Sequence, residues 1–211
     1  MRSAATAKKE QLSPLYTVRG VVILDTATGE RLAAKYSPWW QGAATVKDQI
    51  ALEKKLHAKT RPGKKGRSGS GSGGVEILML DDTIVLHRAG TGVRLFVIGA
   101  QDENELLLLG VLNTVWDALL TALFPQPGST GVFAGGALDR QAIVDNFDTV
   151  LLVLDEALDD GVILESDASL VAYRATMRSP DGTSLGEPSH TEEAFTQALS
   201  FARDSLIKFL R

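Results

Sequence analysis

The sequence of 211 residues contains no cysteine. This absence excludes disulfide bonds, thiolate-bound zinc and a cysteine nucleophile, and it fits a reducing compartment. Aromatic residues are also scarce, at 6% of the chain, whereas hydrophobic residues together make up 44%. Aliphatic side chains must therefore form most of the core. A chain of this length can bury roughly 70% of its unfolded surface, which is enough for one or two domains.

Basic residues do not outweigh the acidic ones, and the formal net charge is −4. A generic nucleic-acid-binding protein would carry a basic face, so we expect no nucleic-acid partner. Residues 1–13 are polar and lack the apolar segment of a secretory signal, and we expect a disordered arm there. The apolar run 106–124 contains Asn113 and Asp117, which favours a buried helix over a membrane span.

The sequence shows no assembled motif of catalysis or cofactor binding. His57, His87 and His190 lie far apart, and none lies in an HExxH motif. GTSLG at 182–186 has GxSxG spacing, but it continues the Ser179-Pro180-Asp181-Gly182 turn and follows no predicted strand, as a nucleophile elbow would. The glycines at 90–92 and 128–136 lack the spacing of a phosphate-binding loop. Four carboxylates lack EF-hand spacing and are interpreted as solvated charge: Asp155, Glu156, Asp159 and Asp160. We therefore predict a protein that is not an enzyme and binds no cofactor or metal.

Apolar runs separated by turn-forming residues predict five β-strands, at residues 16–25, 31–36, 75–81, 83–88 and 93–100. The first two are typical of a hairpin. The connections between the last three are too short for parallel crossovers, so these strands must be antiparallel neighbours. We expect a single meander-like antiparallel sheet, with one helix crossing between the second and third strands.

Both faces of this sheet need cover. In the first strand, alternation places Val18, Val22 and Leu24 on one face and Val21 and Ile23 on the other. Helices on the two sides would bury these residues. The predicted fold class is α/β, more specifically α+β, with a five-stranded antiparallel sheet sandwiched by helices.

The crossing helix is predicted to begin at a capping box of Thr45 and Asp48. Trp39 and Trp40 precede it and are interpreted as plugs at the edge of the core. Its apolar face is predicted to include Val46, Ile50 and Leu56.

Two longer helices are predicted further along. Asp102 would cap a helix whose third position is Glu105 and whose apolar residues run from Leu106 to Leu123. Most of its surface is apolar, so it would be buried on several sides. Asp139 would cap the next helix, which ends near the glycine Gly161 and precedes a short extended run at 162–164. Its apolar stripe comprises Ile143, Phe147, Leu151, Leu154 and Leu158.

The remaining predictions concern domain organisation. Residues 61–74 are rich in glycine, serine and cations and are interpreted as a flexible insert, since they offer no apolar surface to pack. Residues 14–178 are assigned to one domain, in which Ser166 or Asp167 caps a short helix. Residues 179–211 are expected to be a linker and a C-terminal amphipathic helix packed on that domain.

Several stretches resemble the coatomer zeta chains, the small subunits of the Golgi coat, in the same order along the chain. They are LYTVRGVVILD at 15–25, GERLAAKY at 29–36, EKKLHAKT at 53–60, FVIGAQDENELLLLGVLNTVWDAL at 96–119 and VLDEALDDGVILESD at 153–167. The insert at 61–74, the Pro-Trp-Trp segment and the loop 125–138 depart from the family pattern. The resemblance covers most of the chain from residue 15 onward.

This resemblance implies a longin-like fold, related to the sigma chains of clathrin adaptors, and a non-enzymatic role in the coatomer coat. The implied partner is the gamma subunit of coatomer, through its helical-solenoid trunk. Other coatomer subunits and an Arf-type GTPase would be reached indirectly, and the membrane only peripherally through the coat. The implied process is retrograde Golgi-to-endoplasmic-reticulum and intra-Golgi transport, and the implied location is cytoplasmic, on Golgi membranes and coated vesicles. The alternative is a free-standing longin-domain regulator of a small GTPase or a SNARE.

Sigma chains bind dileucine sorting signals in an apolar groove near the start of the fifth strand and the following helix. By resemblance, the corresponding groove for a peptide or partner would be formed here by Gly92, Val93, Leu119 and Leu123.

Overall fold

The computed structural model describes residues 17–60, 74–124 and 137–177. The chain divides into two units, Met1–Met177 and Arg178–Arg211, and every described residue belongs to the first. The expected arm at 1–13 and C-terminal helix within 179–211 therefore lie outside the described residues, as does nearly all of the insert at 61–74.

The described residues form seven strands, five α-helices and one 3-10 turn. In chain order they are β1 (Val18–Asp25), β2 (Arg31–Tyr36), a 3-10 turn (Gln41–Ala43), α1 (Val46–Thr60), β3 (Val75–Leu80), β4 (Thr83–Ala89), β5 (Val93–Ala100), α2 (Glu105–Leu123), α3 (Arg140–Asp145), α4 (Phe147–Ala157), β6 (Leu158–Asp159), β7 (Val162–Ile163) and α5 (Ala168–Ala175).

The five long strands form one antiparallel sheet in the order β2-β1-β5-β4-β3. The predicted antiparallel five-stranded sheet is confirmed, but the meander-like order is wrong, because β1 pairs with β5, with Val21 opposite Val97. The crossing helix α1 thus carries the chain from one edge strand, β2, to the other, β3. A short turn shows only that the two strands it joins are neighbours in the sheet. It does not show at which position of the sheet the chain returns after α1.

Both faces of the sheet are buried, as expected. Val21 and Ile23 pack in the cluster that contains α2, α4 and α5, whereas Val22 and Leu24 pack in the cluster that contains α1. Val18 was predicted to share a face with Val22, and it lies on the opposite one. A register shift in the β1–β5 ladder just after Val18 reverses the alternation there.

Helix α1 covers one face of the sheet. The capping box is confirmed: the Asp48 amide donates to Thr45 Oγ1 at 3.2 Å, and the Thr45 amide donates to Asp48 Oδ2 at 3.2 Å. The apolar face is only partly as predicted, since Leu56 is buried but Val46 and Ile50 are exposed. The helix instead turns Leu52, Glu53 and Leu56 toward the sheet.

Helix α2 lies on the other face, over β4 and β5. It begins later than the predicted cap Asp102, because the chain first turns through residues 101–103; Asn104 takes the capping role and accepts from the Leu106 amide at 2.9 Å. By length and composition it is the one described helix that could cross a membrane. In the fold Leu108, Leu112 and Leu119 are buried against the sheet and its neighbouring helices.

The helix predicted over residues 143–158 is in fact two helices. Asp139 caps α3 as predicted, accepting from the Ala142 amide at 2.7 Å. Asn146 then interrupts the helix with φ −121° and ψ 37°, and its side chain donates to the Ala142 carbonyl at 3.0 Å. As a result Phe147 and Leu151, predicted to be core residues, are exposed. The buried face of α4 is formed by Val150, Val153, Leu154 and Ala157.

Gly161 has the predicted left-handed conformation, with φ +90°, although it lies in a hairpin turn rather than at the end of the helix. Asp160 and Gly161 connect β6 to β7, and both have positive φ, as a tight hairpin turn requires. The Gly161 carbonyl accepts from the Val18 amide at 3.1 Å, so this turn holds the start of β1.

Replacing Gly161 with alanine should destabilise the domain by about 3 kcal/mol, since a positive φ costs about 1 kcal/mol and crowding adds to it. A Cβ at this position would lie 2.5 Å from the Val18 carbonyl oxygen and 2.6 Å from Ser37 Oγ. Gly92→Ala is the matched control. Gly92 also has positive φ, at +82°, but a Cβ added there would have no atom within 4 Å beyond its chain neighbours. Urea unfolding should show the larger loss at Gly161; equal losses would mean that crowding contributes nothing.

Candidate functional site

No metal or catalytic cluster is found in the described residues. Groups of three or more metal-ligating side chains do not occur within residues 17–60, 74–124 and 137–177. His57 lies on α1, where its ring packs against Gly29, and His87 is buried on β4 beside Phe96. His190 lies outside the described residues. The two described histidines thus act in packing and share no site.

The four residues of the predicted groove lie at one end of the sheet. Gly92 forms the turn before β5 with φ +82°, and its carbonyl accepts from the Thr26 amide at 2.9 Å. Val93 and Leu119 are each 1% exposed and belong to the same buried cluster. Leu123, in the last turn of α2, packs against that cluster and is partly exposed.

Two of the four predicted groove residues, Val93 and Leu119, are thus part of the protein's own core. Next to it, the Arg88 guanidinium carbon lies 4.6 Å from the centre of the Trp116 ring, and a guanidinium nitrogen lies 3.9 Å from Asp117. Of the four predicted residues, only Gly92 and Leu123 offer surface to a ligand. Peptide binding here stays a prediction, because no observation tests it.

The sequence reasoning missed an apolar surface on α5. Asp167 caps this helix, accepting from the Ser169 amide at 2.8 Å. Its inner side, with Val171, Ala172 and Ala175, is buried against α2 and α4. The opposite side carries an apolar row that runs just past the end of the helix: Leu170, Tyr173 and Met177, which are 44%, 62% and 59% exposed. The i, i+3, i+7 spacing of this row was the available signal.

Buried polar contacts hold the sheet edge on which β2 lies. Glu53 of α1 is buried, and its Oε1 binds Arg31 Nη2 at 2.6 Å and accepts from the Tyr36 hydroxyl at 2.8 Å. Burial, and then the charge of Glu53, raise the pKa of Tyr36 above its ordinary range. The phenol therefore stays a hydrogen-bond donor to the carboxylate.

Asp25 joins the end of β1 to α3. Its Oδ1 accepts from the Ala27 and Thr28 amides at 2.6 and 2.9 Å, and its Oδ2 lies 3.0 Å from Arg140 Nε. The Thr28 amide is the main cause that holds the pKa of Asp25 below its ordinary value; burial opposes it, and the Ala27 amide and Arg140 support it. These contacts of Asp25 stabilise the fold and do not position a catalytic group.

Three comparisons with known proteins agree with this architecture. The family model of the clathrin adaptor complex small chain matches residues 17–181. The probable coatomer subunit zeta-A of Dictyostelium discoideum is 32% identical over 197 residues, covering 93% of this chain and 98% of that protein. Coatomer subunit zeta-1 of Homo sapiens is 33% identical over 192 residues, covering 91% and 92%. Coatomer subunit zeta-1 of Oryza sativa subsp. japonica is 30% identical over 194 residues, covering 92% and 96%.

A structural likeness supports the fold alone. A chain of a homology model of the full-length AP-3 complex, in a stretched open conformation, matches with a TM-score of 0.51 at 14% identity. The match covers 75% of this chain and 90% of that chain. The predicted longin-like fold class is confirmed.

The chain belongs to the family of clathrin adaptor complex small chains. Within that family it is a non-enzymatic coat component of the coatomer zeta kind, as the resemblance in its sequence implied.

His87 should make the domain sensitive to acid. The pKa of His87 is lowered from 6.5 to about 4: burial is the main cause, Arg94 acts in the same direction, and Glu76 opposes the shift. As the pH falls, the unfolded chain therefore binds this proton before the folded chain does. The contribution of His87 to the free energy of unfolding is fully present above pH 6.5 and is lost as the pH falls toward 4, by up to about 3 kcal/mol. Urea unfolding between pH 7 and 4 measures this loss.

The variant His87→Gln should lose less unfolding free energy than wild type between pH 7 and 4. The variant Glu76→Gln should lose more, because the carboxylate that favours protonated His87 is removed. A His87→Gln protein with the wild-type slope would show that another group controls acid stability.

Proposed function

We propose that the chain is the small subunit that pairs with the gamma subunit of coatomer, on the helical-solenoid trunk of that subunit. In this role it serves retrograde Golgi-to-endoplasmic-reticulum and intra-Golgi transport. It works in the cytoplasm, peripherally on Golgi membranes and coated vesicles. It meets other coatomer subunits and an Arf-type GTPase only through the coat.

The observation that carries this proposal is the outer side of α5. A helix in a monomeric protein normally keeps one apolar side for the core and presents polar residues to water. Here Leu170, Tyr173 and Met177 form a second apolar side on a helix whose inner side already packs on α2 and α4. Obligate interfaces resemble a protein core cut in two, and an uncovered apolar helix side is what one half of such a core presents.

The other candidate, a free-standing regulator of a small GTPase or a SNARE, is not favoured. The relatives that match over more than nine-tenths of this chain are coatomer subunits.

Co-expression with the gamma trunk should give a stable 1:1 complex in gel filtration. The double variant Leu170→Asp/Tyr173→Asp should lose this complex, because two carboxylates would be buried without partners in the interface. Leu106→Asp is the matched control, since Leu106 is 76% exposed in the first turn of α2, outside α5.

Different results would contradict the pairing with the gamma trunk and the role of α5 in that pairing. A wild-type chain that elutes alone beside the trunk contradicts the proposed pairing. Equal weakening by the α5 variant and by Leu106→Asp would mean that α5 has no special part in it. Circular dichroism of each variant confirms that its fold is intact.

A further inference from the structure

The exposed surface of α4 also carries apolar side chains, in a pattern of two adjacent ridges. One ridge consists of Phe147, Leu151 and Asp155, and the other of Asp148, Leu152 and Glu156; each has i, i+4, i+8 spacing. Phe147, Leu151 and Leu152 are 45%, 37% and 47% exposed. Apart from Asp148 in the first turn, the surface is thus apolar in the first half of α4 and acidic toward its end. We call these six residues the α4 ridges.

The charge around the ridges is strongly one-sided. Residues 137–177 contain nine acidic residues, two arginines and no lysine, a formal charge of −7. The whole chain carries −4, so the remaining residues carry +3. The acidic character of the protein is therefore concentrated in the segment that forms α3, α4, the β6–β7 hairpin and α5.

Several of these carboxylates lie where a helix disfavours them. The C-terminal end of a helix is negative, and basic residues stabilise it. Helix α4 has no basic residue in its last turn, which instead contains Asp155 and Glu156, and Asp159 and Asp160 follow directly. Asp155 has a cation, Lys35 Nζ at 2.5 Å. Among the described residues, no ion pair neutralises Glu156, Asp159 or Asp160.

This arrangement costs stability in the isolated chain, and the described part of the fold supplies a cation only to Asp155. A local rule broken without compensation is typical of residues kept for an external contact. Cations brought by a partner would relieve the repulsion and the unfavourable dipole together. The apolar half of the ridges would gain burial in the same contact.

We propose that the α4 ridges dock an amphipathic basic helix of the coat partner. The apolar side chains of that helix pack on Phe147, Leu151 and Leu152, because ridges with i, i+4 spacing suit helix-on-helix packing. Its lysine or arginine residues lie beside Glu156 and Asp159. Because Glu156 and Asp159 lie at the C-terminal end of α4 and the three apolar residues lie nearer its start, the bound helix has one orientation. Helix α5, whose outer side carries the other exposed apolar row, packs against α4.

This inference rests on the proposed pairing with the gamma trunk, and the test separates the two. The affinity of the full-length chain for that trunk is measured by titration at 50 and 300 mM salt. Wild type should bind more weakly at high salt, since paired exposed charges are screened. Glu156→Lys/Asp159→Lys should bind at least 10-fold more weakly at 50 mM salt and lose most of the salt dependence.

Misfolding is excluded by a second readout. Lysines at the end of α4 favour the helix dipole, so the free variant should melt at the same temperature as wild type or about 2 °C higher. Asp82→Lys/Asp102→Lys is the matched control, with the same change in charge at exposed positions outside α4, and should keep wild-type affinity. Leu151→Ser/Leu152→Ser should weaken binding without altering the salt dependence.

The docking surface and the pairing give distinct results. A wild-type complex with unchanged affinity in Glu156→Lys/Asp159→Lys overturns the docking surface and leaves the pairing intact. No complex with wild type overturns the pairing and the docking surface together. Ridge variants that change the oligomeric state of the free chain would show that a second copy occupies the surface, which also overturns the inference.

Discussion

The antiparallel pairing of β1 with β5 is the interaction on which the rest of the fold depends. It joins the β1–β2 hairpin to the three-stranded unit β3–β4–β5. Along the chain, these two units are connected through α1 and the residues that follow it. Seven residue pairs, from Val18–Gly99 to Asp25–Val93, form this ladder. With both units in one sheet, α1 covers one face while α2 and α4 cover the other.

Both ends of β1 are fixed by later parts of the chain. At its start, the Val18 amide donates to the Gly161 carbonyl, and the Val18 carbonyl accepts from Ser37 Oγ at 2.6 Å. At its end, Asp25 binds Arg140 of α3. Trp39 Nε1 also donates to the Asp160 carbonyl at 2.6 Å. The β6–β7 turn that follows α4 is therefore held against the start of β1. The exposed surface of α4 is consequently presented by a rigid support.

Sequence reasoning predicted the elements more successfully than their relations. Turn chemistry and alternation were enough for the five strands, because hairpin neighbours are a local matter. The position of β5 beside β1 depends on which faces pack best between strands far apart in the chain, and no local pattern encodes it. The bulge after Val18 and the break at Asn146 each changed which side chains face the core. One irregular residue is enough to do this, since faces are defined by counting along the chain.

The same limit applies to the exposed apolar surfaces. The resemblance pointed to Val93 and Leu119, which the fold buries, while Phe147 and Leu151 were predicted to be core residues. An apolar side chain has the same hydrophobicity whether it faces its own sheet or another subunit, so periodicity alone cannot distinguish the two. Charge can make the distinction. Core-facing helices of a monomer have no reason to gather carboxylates at a C-terminal end, where the helix dipole opposes them. On α4 the apolar and acidic residues share the exposed ridges, and that combination is the mark of a surface completed by another chain.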